Sequence, residues 1–146
     1  LELAMDYLTR TGRTFRAERV PLCFMPRYGW ASTETRKIVK EEERCIRFLD
    51  GKGWVHQQEF LHGKGSACDS CRFDPICAGL FSMARTFDER ELSPVFEDPL
   101  PTIRAVLGHD PSPELLARIE ARRGRRSPTE QPSEDARAAM AAHPFS

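Results

Sequence analysis

The stretch that decides this chain is Cys68–Gly79, which reads CDSCRFDPICAG. A C-x2-C pair brings two thiolates to one metal centre, because two intervening residues fold the chain back by one tight turn. The five residues before Cys77 are long enough to bring a third thiolate to another side of that centre. Thiolates are the soft ligands that zinc and iron–sulfur clusters select. The spacing predicts a metal site on Cys68, Cys71 and Cys77, and leaves zinc and iron–sulfur both open.

Two other residues of this stretch suit such a site. Gly79 comes just after the third cysteine, where a side chain would crowd a cluster or its sulfides. Pro75 restricts the backbone that approaches Cys77. Backbone amides of the same loop are expected to hydrogen-bond the cluster sulfurs and to adjust the reduction potential.

A fourth ligand must come from elsewhere, since four cysteines are the usual iron–sulfur ligand set. Cys23 follows Pro21 at the end of a predicted strand, where it can be held rigidly against a neighbouring loop, so it is the predicted ligand. Cys45 is the alternative fourth ligand, although a cysteine that opens a strand is more often a small core residue. An open site is a third option, and His56 or His62 could complete a zinc site.

Composition narrows the class of protein. The 146 residues suffice for one domain with a modest core. The 22 basic residues balance the 22 acidic ones, so no overall charge attracts nucleic acid or an anionic membrane. The chain has no apolar run near the ~18–20 residues of a bilayer span and no secretory signal. Five cysteines in that setting favour metal binding over disulfides. We expect a cytoplasmic protein with no nucleic-acid or membrane partner.

The pattern around the cysteines predicts an α+β fold, in which a small β-hairpin and the cysteine-rich loop are flanked by helices. Two strand-like runs on either side of the Gly51–Gly53 turn predict the hairpin. Another strand is predicted over 15–25. Helices are predicted over the first residues, from Ser32 or Thr33 to about Glu43, at 77–83, at 102–107, and from Ser112 to about Arg122. The remaining residues lack apolar periodicity, and the basic run at 122–126 is interpreted as part of a solvated, disordered tail.

The stretch Cys68–Leu80 resembles the C-x2-C-x5-C-x-G-L signature found in C-terminal extensions of radical S-adenosylmethionine (SAM) proteins, the SPASM and twitch domains. In that family these cysteines bind auxiliary [4Fe–4S] clusters. The upstream Val20–Cys23 is similar to a Pro-x-Cys element that often precedes the signature, and a short hairpin before the cysteines is likewise expected. The resemblance covers about residues 15–85. It implies an iron–sulfur rather than a zinc site.

The chain departs from the family pattern in two ways. Phe81 stands where a full SPASM domain has a further cysteine, and no cysteine follows Cys77, so the resemblance implies one cluster, as in the twitch type, on Cys23, Cys68, Cys71 and Cys77. The C-x3-C-x2-C motif of the SAM-cleaving cluster is also missing. The barrel that binds SAM is therefore expected before Leu1 in a parent chain.

These expectations give a domain plan and a function. Residues 1–14 form a helix leading from the missing barrel, 15–108 the iron–sulfur domain, 109–123 a C-terminal helix, and 124–146 a disordered tail. The function is an accessory domain for electron transfer or substrate positioning, which cannot cleave SAM alone. Its partners are the upstream barrel and, since family members often act on ribosomal peptides or enzyme side chains, a peptide or protein substrate. The alternative is a zinc-stabilised binding module without a redox role.

Overall fold

A computed structural model describes residues 1–48, 53–57, 61–81 and 88–126 of the chain. Within these ranges the α-helices are α1 (Glu2–Arg10), α2 (Thr33–Lys40), α3 (Leu100–Leu107) and α4 (Pro113–Glu120). The strands are β1 (Arg44–Phe48) and β2 (Gly53–Gln57). Short 3-10 helices occupy Leu22–Phe24, Pro26–Ala31, Ser66–Ser70, Asp74–Ile76 and Glu89–Glu91.

Local capping signals explain where the helices begin and end. The Ser32 hydroxyl accepts a hydrogen bond from the Thr35 N–H at the start of α2, and the Ser112 hydroxyl accepts one from the Leu115 N–H at the start of α4. Both predicted caps are confirmed. Gly108 ends α3 with a φ of +81°, a conformation that glycine adopts without strain. None of the helices in the described ranges is long and apolar enough to cross a bilayer.

The hydrophobic core forms around the cysteine loop. Its main cluster joins α2, α3 and α4 with this loop, and its buried members are Leu22, Val39, Cys71, Phe73, Ile76, Val95, Ile103, Val106 and Ile119. Ile76 is fully buried, and its carbonyl accepts a hydrogen bond of 2.9 Å from the Thr35 hydroxyl. The loop that carries the three clustered cysteines is therefore held by the core.

A smaller cluster attaches α1 to the chain that follows it. Met5 is buried with Met25 and Tyr28. The Tyr28 hydroxyl donates to the Asp6 carboxylate, and Arg27 forms an ion pair of 3.1 Å with the same carboxylate. These contacts fix α1 to the segment that follows Cys23.

The predicted α+β class is wrong, because the packed body of the chain is helical. β1 and β2 pair antiparallel, from Arg44 opposite Gln57 to Phe48 opposite Gly53. The hydrophobic clusters found in the described parts of the chain are built from helices, 3-10 turns and loops. A single pair of short strands is too small for a sheet layer, so the helical body determines the class.

The strand predicted over 15–25 is wrong as well. This segment has only an isolated bridge between Ala17 and Ser32, followed by 3-10 turns. Leu22 and Met25 are both almost fully buried, and their spacing of three residues suits a 3-10 turn better than the two-residue period of a strand. The helix predicted at 77–83 is not formed over 77–81, and its remaining residues lie outside the described ranges.

Candidate metal centre

Four of the five cysteines line a single pocket. Its walls include Cys23, Cys68, Cys71 and Cys77, and they also contain Pro21, Leu22, Lys64, Phe73, Asp74, Gly79, Leu92 and Ser93. The free space is ≈ 330 Å³ when the part open to solvent is included, and the centre of a water molecule can occupy ≈ 20 Å³ of it. The fifth cysteine, Cys45, is exposed on β1 and is not among the lining residues. The chain thus brings the predicted ligands together and keeps the alternative ligand apart.

Cys23 reaches the pocket on a short 3-10 turn. The Phe24 N–H donates to the Pro21 carbonyl at 3.1 Å. Pro21 is the residue before the turn, and its ring enforces its φ of −58°. Leu22 is 1% exposed in the core. A buried neighbour and a fixed proline therefore determine where the Cys23 side chain lies.

The other three cysteines lie on two successive tight turns. The Cys71 N–H donates to the Cys68 carbonyl at 3.2 Å, which closes the turn of the C-x2-C pair. The Cys77 N–H donates to the Phe73 carbonyl at 3.0 Å, at the end of the 3-10 helix Asp74–Ile76. The spacing seen in the sequence is therefore the spacing of two turns that face one pocket.

A backbone amide hydrogen-bonds the Cys71 sulfur, and amides near the other three cysteines favour the ionised forms of their thiols. The Val95 N–H donates to the Cys71 Sγ at 3.3 Å. Backbone hydrogen bonds also lower the thiol pKa at the other three positions; they come from Ser93 and Phe24 at Cys23, from Gly65 at Cys68, and from Leu22 and Gly79 at Cys77. Such bonds are what a protein uses to stabilise and tune iron–sulfur clusters.

Burial dominates the protonation of these thiols. It raises the pKa of Cys23 and Cys68, and it raises the pKa of Cys77 to about 11, in each case against the amide hydrogen bonds. Repulsion from Cys71 further raises the pKa of Cys23 and Cys68. Cys23, Cys68 and Cys77 are therefore protonated at neutral pH in the metal-free protein, and a metal must displace those protons when it binds.

The arrangement of the sulfurs bears on the kind of metal. Within the described residues, no group of three or more His, Cys, Asp or Glu side chains is positioned to hold a metal ion. Four thiolates on one zinc lie ~2.3 Å from the metal, and hence about 3.8 Å from one another. In a [4Fe–4S] cluster each thiolate binds a different iron, so the sulfurs stay farther apart. The four thiols of the pocket are soft donors that fit either centre, and the separation of their sulfurs once a metal is bound would distinguish the two.

The pocket wall contains a buried ion pair that was not predicted from the sequence. Lys64 Nζ lies 2.7 Å from Asp74 Oδ1 and also donates to the Asp74 carbonyl at 2.7 Å. The two side chains are only 2% and 1% exposed. The available signal was the position of Lys64 between two glycines directly before the cysteines, since small neighbours allow a close approach of the backbone.

Gly79 is required for a different reason from the one predicted. It has a φ of +98°, and a Cβ there would lie 2.4 Å from the Gly63 carbonyl oxygen and 3.0 Å from Lys64 Cγ. The Leu80 N–H donates to the same carbonyl at 2.6 Å. A side chain would therefore collide with the segment that carries Lys64, whereas the prediction was that it would crowd a cluster.

Residues 123–126, here called the C-terminal strap, bind the cysteine loop. The Gly124 N–H donates to Asp74 Oδ2 at 2.7 Å, and an Arg123 guanidinium N–H donates to the Cys71 carbonyl at 3.1 Å. Arg126 forms ion pairs with Asp74, at 3.4 Å, and with Asp69. The interpretation of the basic run as part of a solvated tail is wrong for these residues. Residues 127–146 lie outside the described ranges.

His62, one of the two candidate histidines, does not line the cysteine pocket. His62 lines a neighbouring pocket with Arg19 and Glu34, and its ring packs edge-to-face on Phe81 at 5.1 Å between centroids. His56 is on β2 opposite Cys45, and its side chain lies outside the described part of the structure. The option of a histidine ligand therefore has no support at His62.

The position of His62 leads to a pH prediction. Burial lowers its pKa, and Arg19 lowers it further while Glu34 opposes the shift. The unfolded state therefore binds the proton more tightly, so this contribution to stability is complete above about pH 6.5 and is lost as the pH falls through the folded value. We expect His62→Gln to weaken the decrease in urea midpoint between about pH 7.5 and pH 5. An unchanged decrease would contradict this.

Comparisons of the chain with family models, curated proteins and solved structures found no match. The function must therefore be inferred from the residues of the site. The most informative of them are the four cysteines, their amide donors and the buried Lys64–Asp74 pair.

Proposed function

We propose that the chain binds one [4Fe–4S] cluster through Cys23, Cys68, Cys71 and Cys77. The observation that carries the proposal is that Cys23, from a distant segment, lines the same pocket as the three loop cysteines. Backbone amides near the sulfurs, among them the Val95 N–H that donates to Cys71 Sγ, further support a metal site over a chance cluster of buried cysteines. Such a cluster supplies one-electron chemistry, or an iron that positions a substrate.

The surrounding residues have defined roles in this proposal. Phe73, Leu92 and Val95 are buried around the pocket and limit the access of water. The strap residues hold the loop through Asp74, Asp69 and the Cys71 carbonyl. The rigid loop keeps the thiols in place, and the excluded water strengthens the electrostatic effect of each nearby charge.

We further propose that the chain is the auxiliary-cluster domain of a radical SAM enzyme. The support is the resemblance of Cys68–Leu80 to the C-x2-C-x5-C-x-G-L signature, with Pro21-x-Cys23 before it. In that case SAM would bind to a barrel of the same parent chain, and the present domain would face a peptide or protein substrate. Mixing the purified chain with SAM and a reductant should give no SAM cleavage without that barrel.

Anaerobic reconstitution tests the cluster. The full chain, treated with ferrous iron and sulfide under reducing conditions and then desalted, should become brown and retain four irons and four sulfides. A colourless protein with no retained iron would refute the proposal. Purification under anaerobic conditions, followed by metal analysis, shows which metal the chain acquires in the cell.

Single cysteine variants test the ligand set. Cys71→Ala and Cys23→Ala should each retain less than about a fifth of the wild-type iron, because loss of one of four thiolate ligands leaves an iron open to solvent. Cys45→Ala is the matched control, since this cysteine is exposed on β1, and it should retain the full iron content. Loss of iron in Cys45→Ala, with normal iron in Cys23→Ala, would assign the fourth ligand to Cys45.

The second candidate is a structural zinc site, which would make the chain a binding module without redox function. The observation that favours it is that the centre of a water molecule can occupy only ≈ 20 Å³ of the pocket, about the room for one water or one ion. Zinc would draw the four thiols inward. One zinc per chain after anaerobic purification, with no iron uptake on reconstitution, would establish this candidate in place of the cluster.

A further inference from the structure

We propose that the buried Lys64 ammonium raises the reduction potential of the cluster, and that Asp74 limits this effect. The inference rests on the proposed cluster and concerns its regulation. It assigns a function to an ion pair that the ligand set alone does not require.

The pair belongs to the wall of the cysteine pocket. Lys64 and Asp74 are lining residues together with the four cysteines. The Lys64 stem passes against Gly79, two residues after Cys77, with its Cγ 3.0 Å from the place of a Gly79 Cβ. With its side chain 2% exposed, the ammonium is shielded from the water and salt that would screen a surface lysine.

The charges of the two residues are not equivalent at the sulfurs. The charge of Lys64 lowers the thiol pKa of both Cys68 and Cys77. At Cys68 the charge of Asp74 raises the pKa, but by less than Lys64 lowers it. Asp74 is also neutralised from its other side, because its carboxylate accepts from the Gly124 N–H and pairs with Arg126. The field of the pair in the pocket is therefore positive.

The remaining charges near the loop are paired among themselves. Arg126 also binds Asp69, and Arg123 binds Glu120 while donating to the Cys71 carbonyl. Asp69 and Glu120 are more than half exposed, so solvent screens them. Lys64 is thus a buried cation in the pocket wall, and solvent does not screen its charge as it screens Asp69 and Glu120.

The sign of the effect follows from the electron count. One-electron reduction adds a negative charge to the cluster, and a nearby buried cation stabilises this added charge. Lys64→Met removes the cation and should lower the potential, whereas Asp74→Asn removes the opposing anion and should raise it. A purely structural role of the pair would not shift the potential in opposite directions.

The test is a redox titration of reconstituted, full-length protein. Wild type, Lys64→Met, Asp74→Asn and the double variant are titrated with dithionite as the reductant, and the reduced cluster is quantified by electron paramagnetic resonance. At a fixed potential we expect Lys64→Met to decrease the reduced-to-oxidised ratio about tenfold, equivalent to about 59 mV for one electron. Asp74→Asn should increase the ratio, and the double variant should lie below wild type.

The outcomes separate this inference from the proposed function. If wild type retains no iron, the proposed cluster fails and the inference fails with it. If all four proteins retain full iron but share one potential, or if both single variants shift in the same direction, the cluster stands and the inference is overturned. If a single variant does not fold, the double variant decides, since a potential equal to or above that of wild type contradicts a positive field of the pair.

Discussion

Gly79→Ala should lower the free energy of unfolding by about 3–5 kcal/mol and abolish iron retention. The added Cβ would lie 2.4 Å from a backbone oxygen of Gly63, and a backbone atom cannot move aside as a flexible side chain can. The φ of +98° adds strain for any residue with a Cβ. To relieve the contact with Gly63 and the backbone strain, Gly63 and Lys64 would have to move away from the pocket wall. Urea denaturation and iron analysis of the reconstituted protein measure the two effects.

Gly108→Ala is the matched control for this prediction. Gly108 also has a positive φ, +81°, but no atom lies within 4 Å of the place of its Cβ. This variant should show only the backbone cost, about 1 kcal/mol, with full iron retention. Equal losses in the two variants would mean that strain alone, and not the contact with Gly63, makes Gly79 necessary.

Asp74→Asn should destabilise the metal-free chain by about 3–5 kcal/mol, because it leaves a buried ammonium without its carboxylate. Lys64 and Asp74 are 2.7 Å apart and almost completely buried, so water cannot replace the lost partner. Lys64→Met with Asp74→Asn should cost clearly less than Asp74→Asn alone, since a neutral pair leaves no unpaired charge. Denaturant midpoints of the full chain under reducing conditions give the comparison.

The exposed pair Arg104–Asp110 is the control for the buried one. Its atoms are 2.5 Å apart, but the side chains are 53% and 79% exposed. Arg104→Gln should therefore change stability by less than about 1 kcal/mol. If the double variant at Lys64 and Asp74 were less stable than Asp74→Asn alone, the electrostatic explanation of the pair would be wrong.

Local signals in the sequence predicted the local structure well. Ser32, and Ser112 with Pro113, begin α2 and α4 as expected, since a side-chain cap needs only residues within one turn. The tight turns of the cysteine loop also follow from short spacing. The segment 15–25 was misassigned because its apolar residues suit either a strand or a turn, and only packing against the core decides between them.

Most contacts between distant segments could not be predicted from the sequence. Cys23 was selected from chemistry and resemblance, and the structure places it at the pocket, but neither argument supplied its hydrogen bonds. No periodic pattern in the sequence marks Lys64 and Asp74 as a buried pair, and most Lys residues lie at the surface. The strap was misread because a run of arginines is usually solvated, whereas here the acidic residues of the cysteine loop bind it.

The strap also imposes an order on synthesis. Arg126 and Asp69 are separated by 57 positions along the chain, so the acidic residue of the cysteine loop is synthesised well before the arginine that binds it. At roughly 5–20 residues per second, that interval lasts some seconds. During it the cysteine loop lacks its contacts with Gly124 and Arg126, so its folded form is complete only after the strap has been synthesised.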